Sequence, residues 1–195
     1  MKLIFATHNH NKAREIQAIM PEGIELLTLD EIQCNEEIPE TAATLEGNAK
    51  LKAAYIAQQF DMECFADDTG LEVAALHGEP GVHSARYAGQ SRDPEANMHL
   101  LLEKLASKGD RSAQFRTVIA LYWNKEYHYF EGIVKGKILQ EKKGNNGFGY
   151  DPIFEPENCG KSFAEMTLEE KNKYSHRSRA LDKMIAFLSR QNVTN

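Results

Sequence analysis

Apolar residues along this chain switch between short continuous runs and stripes of helical spacing, a pattern that predicts an α/β fold. The run at 3–6 (Leu3, Ile4, Phe5, Ala6) predicts a buried strand. Over 12–20, Ala13, Ile16, Ile19 and Met20 share one helical face, and Pro21-Glu22-Gly23 stops it. A second strand is predicted at 24–28, followed by an acidic, irregular stretch at 30–40. A long helix should cover 44–60, with Leu45, Ala49, Ala53, Ile56 and Phe60 as its stripe. Cys64-Phe65-Ala66 predicts a short strand that ends in Asp67-Asp68-Thr69-Gly70, and 71–75 a resumed one. Asp93-Pro94 reads as an N-cap followed by proline at the first helical position, opening a helix with Met98, Leu101, Leu102 and Leu105 on one face. Strands rich in β-branched and aromatic residues follow at 113–123 and 127–138, joined by Asn124-Lys125-Glu126. Thr167-Leu168-Glu169-Glu170 fits a capping box, and Ala180, Leu181, Met184, Ile185 and Leu188 mark a last helix. With no repeat or linker in between, residues 1–195 read as one α/β domain around a mixed, twisted sheet.

Charge narrows the partners. The 195 residues carry 29 Asp and Glu against 23 Lys and Arg, a net −6, which argues against a surface built for a nucleic-acid backbone. A nucleotide held by a few local cations and a metal stays compatible with that balance. Cys34, Cys64 and Cys159 form no C-x-x-C pair, so neither a disulfide framework nor a thiolate zinc site is indicated. Their free state suits a reducing cytosol. No signal peptide is apparent and no run approaches the roughly 20 residues of a membrane span. A cytoplasmic protein without membrane or nucleic-acid partners is the expectation.

Two segments carry the candidate chemistry. Thr7-His8-Asn9-His10-Asn11-Lys12 joins a strand to a helix, where small polar side chains, free N–H groups and the Lys12 charge suit a phosphate. An ordinary capping turn is the competing reading. Asp67 and Asp68 place two carboxylates at a strand end, costly unless a cation compensates them. Ligands gather at the carboxyl ends of strands in open α/β sheets. Mg²⁺ prefers one or two carboxylates with water and phosphate oxygens. The alternative there is a solvated Asp-Asp turn. Glu40 offers a third carboxylate, while Lys50 and Lys52 by themselves read as a solvated helix face. Phe148, between Gly147 and Gly149 and ahead of Tyr150-Asp151, suits stacking on a planar ligand or packing into the core. Lys171, His176 and Arg177, taken singly, read as surface charge between two helices.

Taken in order, these segments resemble the inosine triphosphate pyrophosphatase family. The matches are T-x-N-x-x-K-x-x-E at 7–15, E-T-x-x-T at 40–44, N-A-x-x-K-A at 48–53, A-D-D-T-G-L at 66–71, P-G-V-x-S-A-R-Y at 80–87, G-F-G-Y-D-P-I-F at 147–154, and E-E-K followed by S-H-R, ending at Arg177. Each is modest alone; the ordered set spans nearly the whole chain. The resemblance implies a single two-lobed domain around a long mixed sheet flanked by helices. It implies Mg²⁺-dependent hydrolysis of ITP, dITP or XTP to the monophosphate and pyrophosphate, by a homodimer. It casts Glu40 and Asp68 as metal ligands and Asp68 as the base, with Asp67 in support. Thr7, His8, Asn9, His10, Asn11, Lys12, Lys52 (rather than Lys50) and Thr69 fall on the substrate, with Phe148, Gly149, Tyr150, Asp151, Lys171, His176 and Arg177 around the purine. Two positions depart from the family pattern: Gly47, where glutamate is frequent, and Ala42, where glycine is. A pyrophosphatase of modified pyrimidine nucleotides and a catalytically silent nucleotide sensor are the rival readings.

Overall fold

The computed structural model describes residues 1–191. The chain forms a mixed sheet in the order β2-β1-β3-β5-β6-β7, with β4 pairing to β3 off that path. Its strands are β1 (Lys2–Phe5), β2 (Glu25–Thr28), β3 (Cys64–Val73), β4 (Pro80–Gly81), β5 (Ser112–Trp123), β6 (Glu126–Ile138) and β7 (Phe154–Pro156). β1 lies parallel to both β2 and β3, whereas β4 and β7 pair antiparallel with β3 and β6. Among the described residues five α-helices flank it: α1 (His10–Gln17), α2 (Leu45–Phe60), α3 (Pro94–Lys104), α4 (Leu168–Tyr174) and α5 (His176–Gln191). Among the described residues, no helix is long and apolar enough to cross a membrane. The three cysteines are free thiols.

Local sequence accounts for the element ends. Asn9, Thr44, Asp93 and Thr167 cap α1, α2, α3 and α4, and Thr167 closes a capping box with Glu170. Asn124 and Lys125 take positive φ, the conformation of the tight turn that joins β5 to β6. Two sequence expectations are corrected, and one strand carries no sequence signal. β3 does not stop at Asp67 but continues to Val73, with Asp67 and Asp68 in mid-strand. The short strand β7 carries too few residues for a periodic signal. Lys171 belongs to α4, and His176 and Arg177 open α5 rather than lying between helices; all three are buried, not surface charge.

Two compact units can be distinguished, with boundaries inside β3, β5 and β6: Met1–Asp68 with Thr117–Gly132 and Arg177–Asn195, and Thr69–Arg116 with Ile133–His176. The first unit has two cores. Ala49, Ala53 and Ile56 of α2 meet Cys64, Ala66 and Ala120 in one. Ile16 of α1 and Ala180, Leu181, Met184 and Leu188 of α5 meet Phe5, Phe65 and Ile119 in the other. The second unit has its own core of Leu71, Val73, Met98, Leu101, Phe115, Phe154 and Phe163. Each fully buried Leu, Ile, Phe or Met contributes about 1.5–3 kcal/mol.

Candidate active site

Strand alternation divides the two aspartates. Successive side chains of β3 point to opposite faces, so Cys64, Ala66 and Asp68 look toward α2, while Phe65 and Asp67 look toward α1 and α5. Neither carboxylate is solvated: Asp67 is 1% and Asp68 8% exposed, which overturns the reading of a solvated turn. The strand persists through them because cations neutralise the buried charge.

Asp67 is clamped. Its Oδ1 accepts from Lys12 Nζ at 3.0 Å and its Oδ2 from Arg177 Nε at 3.1 Å. Arg177 Nη1 also donates to Glu15 Oε2. Lys12 and Glu15, three apart on α1, present one face to this network, and Arg177 is buried rather than at the surface. Burial pushes the Asp67 carboxyl up, yet Lys12, Arg177 and Lys52 together hold it well below the usual carboxylate range. Burial also lowers the Lys12 ammonium, against the pull of Asp67.

Asp68 has different company. Its Oδ2 accepts from Asn48 Nδ2 at 3.1 Å, and Lys52 Nζ lies 3.8 Å from its Oδ1. Lys52 Nζ donates to Glu40 Oε1 at 2.6 Å. Burial drives the Asp68 carboxyl above its ordinary value, with Lys52 and Lys12 opposing. The Lys52 ammonium is drawn down by burial but raised more by Asp68, Glu40 and Asp67. Asn48 and Lys52 are four apart on α2, hence on one face. Lys52 is 8% exposed and not on a solvated face; Lys50 is exposed, with its ammonium over the Tyr127 ring.

Glu40 and Asp68 thus turn hard oxygens toward one ammonium. Among the described residues no group of three or more His, Cys, Asp or Glu could hold a metal. The donor set suits Mg²⁺, which takes one or two carboxylates and completes its shell with phosphate oxygens and water. Both Asp67 oxygens are engaged by cations, so Asp67 does not join that set.

The segment from Thr7 to Lys12 is corrected in one respect. The N–H groups of Asn11 and Lys12 donate to Asn9 Oδ1, and that of Asn9 to Thr7 Oγ1. These donors are satisfied locally, so attraction for phosphate there rests on side chains, Lys12 foremost. His8 Nε2 donates to the Glu36 carbonyl at 2.9 Å, and exposed His10 lies 3.8 Å from Asp30.

The remaining candidates belong to the second unit, which begins at Thr69. Lys171 Nζ donates to Asp151 Oδ2 at 2.5 Å, and the Phe148 N–H donates to the same oxygen at 2.8 Å. The Lys171 ammonium also sits 4.8 Å from the centre of the half-buried Phe148 ring, which is outside the core. Gly147 has φ +73°, and a Cβ there would run into Asp151 Oδ2. The loop therefore needs glycine both for backbone conformation and for the carboxylate's approach. His176 stacks on Phe115, centroids 4.6 Å apart at 15°. Tyr150 is a core residue whose hydroxyl donates to the Ser84 carbonyl at 2.9 Å; Gly149 beside it adopts φ +63°. Glu15 and Asn48, to which sequence reasoning gave no role, lie inside the T-x-N-x-x-K-x-x-E and N-A-x-x-K-A segments.

Comparison with known proteins agrees with this architecture. Residues 3–187 match the model of the Ham1 family. The chain is 54% identical over 189 residues to the dITP/XTP pyrophosphatase of Flavobacterium johnsoniae, covering 97% of this chain and 98% of that one. It is 53% identical over 188 residues to the dITP/XTP pyrophosphatase of Porphyromonas gingivalis, covering 96% and 97%. Among solved structures it is similar to the Ham1 protein of Staphylococcus aureus, at TM-score 0.88 and 40% identity over 98% of this chain and 100% of that one.

Proposed function

Because the chain belongs to the Ham1 family, we propose that it hydrolyses non-standard purine nucleoside triphosphates (ITP, dITP and XTP) to the monophosphate and pyrophosphate. One observation carries the assignment of roles: two consecutive aspartates are buried with opposite surroundings, Asp67 locked between Lys12 and Arg177, Asp68 beside Glu40 and Lys52.

Asp68 is the base. Asp67, with one oxygen held by Lys12 and the other by Arg177, is the less suited of the two to take a proton from the water that attacks the α-phosphorus. Asp67 holds Lys12 and Arg177 in place. Lys12 and Lys52 neutralise triphosphate charge, with Thr7, Asn9 and Thr69 as hydroxyl and amide partners. Glu40 and Asp68 would hold Mg²⁺. Such an ion supplies charge neutralisation on the phosphate oxygens and the departing pyrophosphate. The purine stacks on Phe148, with Asp151, Lys171 and His176 around its edge. On the family resemblance Arg177 also reads the base: a guanidinium N–H suits a 6-oxo group and does not suit the 6-amino group of adenine. Family resemblance further supports a homodimer working in the cytoplasm.

The test is a panel of ITP, dITP, XTP, ATP and dUTP, followed by pyrophosphate release with and without Mg²⁺. Turnover of the oxopurines in Mg²⁺, lost in EDTA, supports the proposal. Preference for dUTP, or binding without turnover, overturns it.

A further inference from the structure

Gly47 is glycine for reasons of space. It is the third residue of α2, outside the positive-φ region, and its N–H donates to Thr44 Oγ1 at 3.1 Å. A Cβ at this position would lie 2.5 Å from the Ala42 methyl and 3.2 Å from Thr44 Oγ1. Ala42 would have to move, and its backbone is tied: its N–H donates to Asn48 Oδ1 at 2.9 Å. The other end of the same amide, Nδ2, donates to Asp68 Oδ2 at 3.1 Å. Asn48 is 1% exposed. An amide with its acceptor and its donor both engaged has one orientation, because a flip would set donor against donor and acceptor against acceptor.

We infer that Asn48 is a positioning residue that couples the segment bearing Glu40 to Asp68, and that the Ala42–Gly47 contact sets the register of that coupling. Glu40 lies two residues before Ala42 and reaches Lys52 Nζ, the ammonium that also faces Asp68. Three ties then fix the spacing of the two carboxylates: the Lys52 ammonium, the Asn48 amide, and the methyl seated against a bare Cα. A side chain at 47 pushes Ala42 outward and strains the amide through which Asp68 is held. The inference deepens the proposed function and rests on its assignment of Glu40 and Asp68.

The experiment is a double-mutant cycle on the full chain with Gly47→Ala, Ala42→Gly and both together, read first as unfolding midpoints without metal or nucleotide. Overpacking by the added methyl should lower the midpoint of Gly47→Ala by about 4 °C or more, and Ala42→Gly in the same chain should restore it. The second reading is kcat and KM for ITP. Gly47→Ala should lose about tenfold or more in kcat with KM within about threefold, and the double variant should recover. Asn48→Asp keeps the acceptor for the Ala42 N–H but sets a carboxylate against Asp68. It should fold, lose about tenfold or more in kcat, and not be rescued by Ala42→Gly. Additive midpoints, or parent-like kcat in Asn48→Asp, overturn the inference. Should Gly47→Ala fail to fold, recovery in the double variant supports the coupling and failure to recover overturns it. A parent chain that hydrolyses no nucleotide defeats the active-site assignment, while the midpoints still decide the coupling.

Discussion

Neutralising the two adjacent aspartates one at a time should give opposite phenotypes. Asp67→Asn removes the charge between Lys12 and Arg177, whose side chains are 14% and 2% exposed. Breaking a buried ion pair on one side costs about 3–5 kcal/mol. Arg177 keeps Glu15, which places the expected cost near the lower end, about 3 kcal/mol. For a chain of this length that is a fall of about 6–12 °C in Tm. The pH dependence follows from the depressed Asp67 carboxyl: its stabilisation is complete above the unfolded value near 4 and disappears as pH falls through the folded value. The Tm gap between parent and Asp67→Asn should therefore be widest at neutral pH and close on acidification. Asp68→Asn removes a carboxylate that burial makes costly to ionise, so Tm should stay within a few degrees of the parent while kcat falls about 10²-fold or more. The assay is differential scanning fluorimetry from pH 3 to 8 with pyrophosphate release at neutral pH. A stable Asp67→Asn variant, or a folded Asp68→Asn variant with parent-like turnover, refutes the division of roles.

Arg177→Ala strands Glu15 and weakens the hold on Asp67, so it should cost about 3–5 kcal/mol in urea unfolding. In whatever fraction stays folded, the ITP:ATP ratio of kcat/KM should collapse; an unchanged ratio would remove Arg177 from base reading. Phe148→Ala deletes a half-buried ring outside the core and should leave Tm nearly unchanged. It should lower kcat/KM for ITP by about 10–100-fold, the worth of one base–aromatic stack; equal kcat/KM would refute the stacking role. Cys64 is fully buried and burial pushes its thiol up to about 12, so it should resist an aromatic disulfide reagent at pH 8 until the protein is denatured. Prompt labelling of Cys64, read by mass spectrometry, would contradict that placement.

The elements were legible wherever periodicity, caps or turn residues repeated a message: α2 over Leu45–Phe60, the Asp93 and Thr167 caps, and β5 and β6 on either side of Asn124-Lys125. β3 was misjudged at Asp67 because two consecutive carboxylates look like a strand end. What keeps the strand going is Lys12, Lys52 and Arg177, contributed by three helices remote in sequence. The same non-local pairing hid the roles of Glu15 and Asn48, whose partners are 162 and 20 positions away. Lys52 could not be told from Lys50 by composition, since only the contacts of α2 decide which face is buried. The free N–H groups expected at the start of α1 were lost to Asn9, a preference for local capping that the Thr7-x-Asn9 spacing already contains.

The central claim, that water attacks the α-phosphorus of an oxopurine triphosphate, is tested most directly by hydrolysing ITP in ¹⁸O-labelled water and locating the label by mass spectrometry. One ¹⁸O per turnover in inosine monophosphate, and none in pyrophosphate, is the predicted result. Label in pyrophosphate or in orthophosphate would contradict it, because water would then have attacked the β- or γ-phosphorus instead.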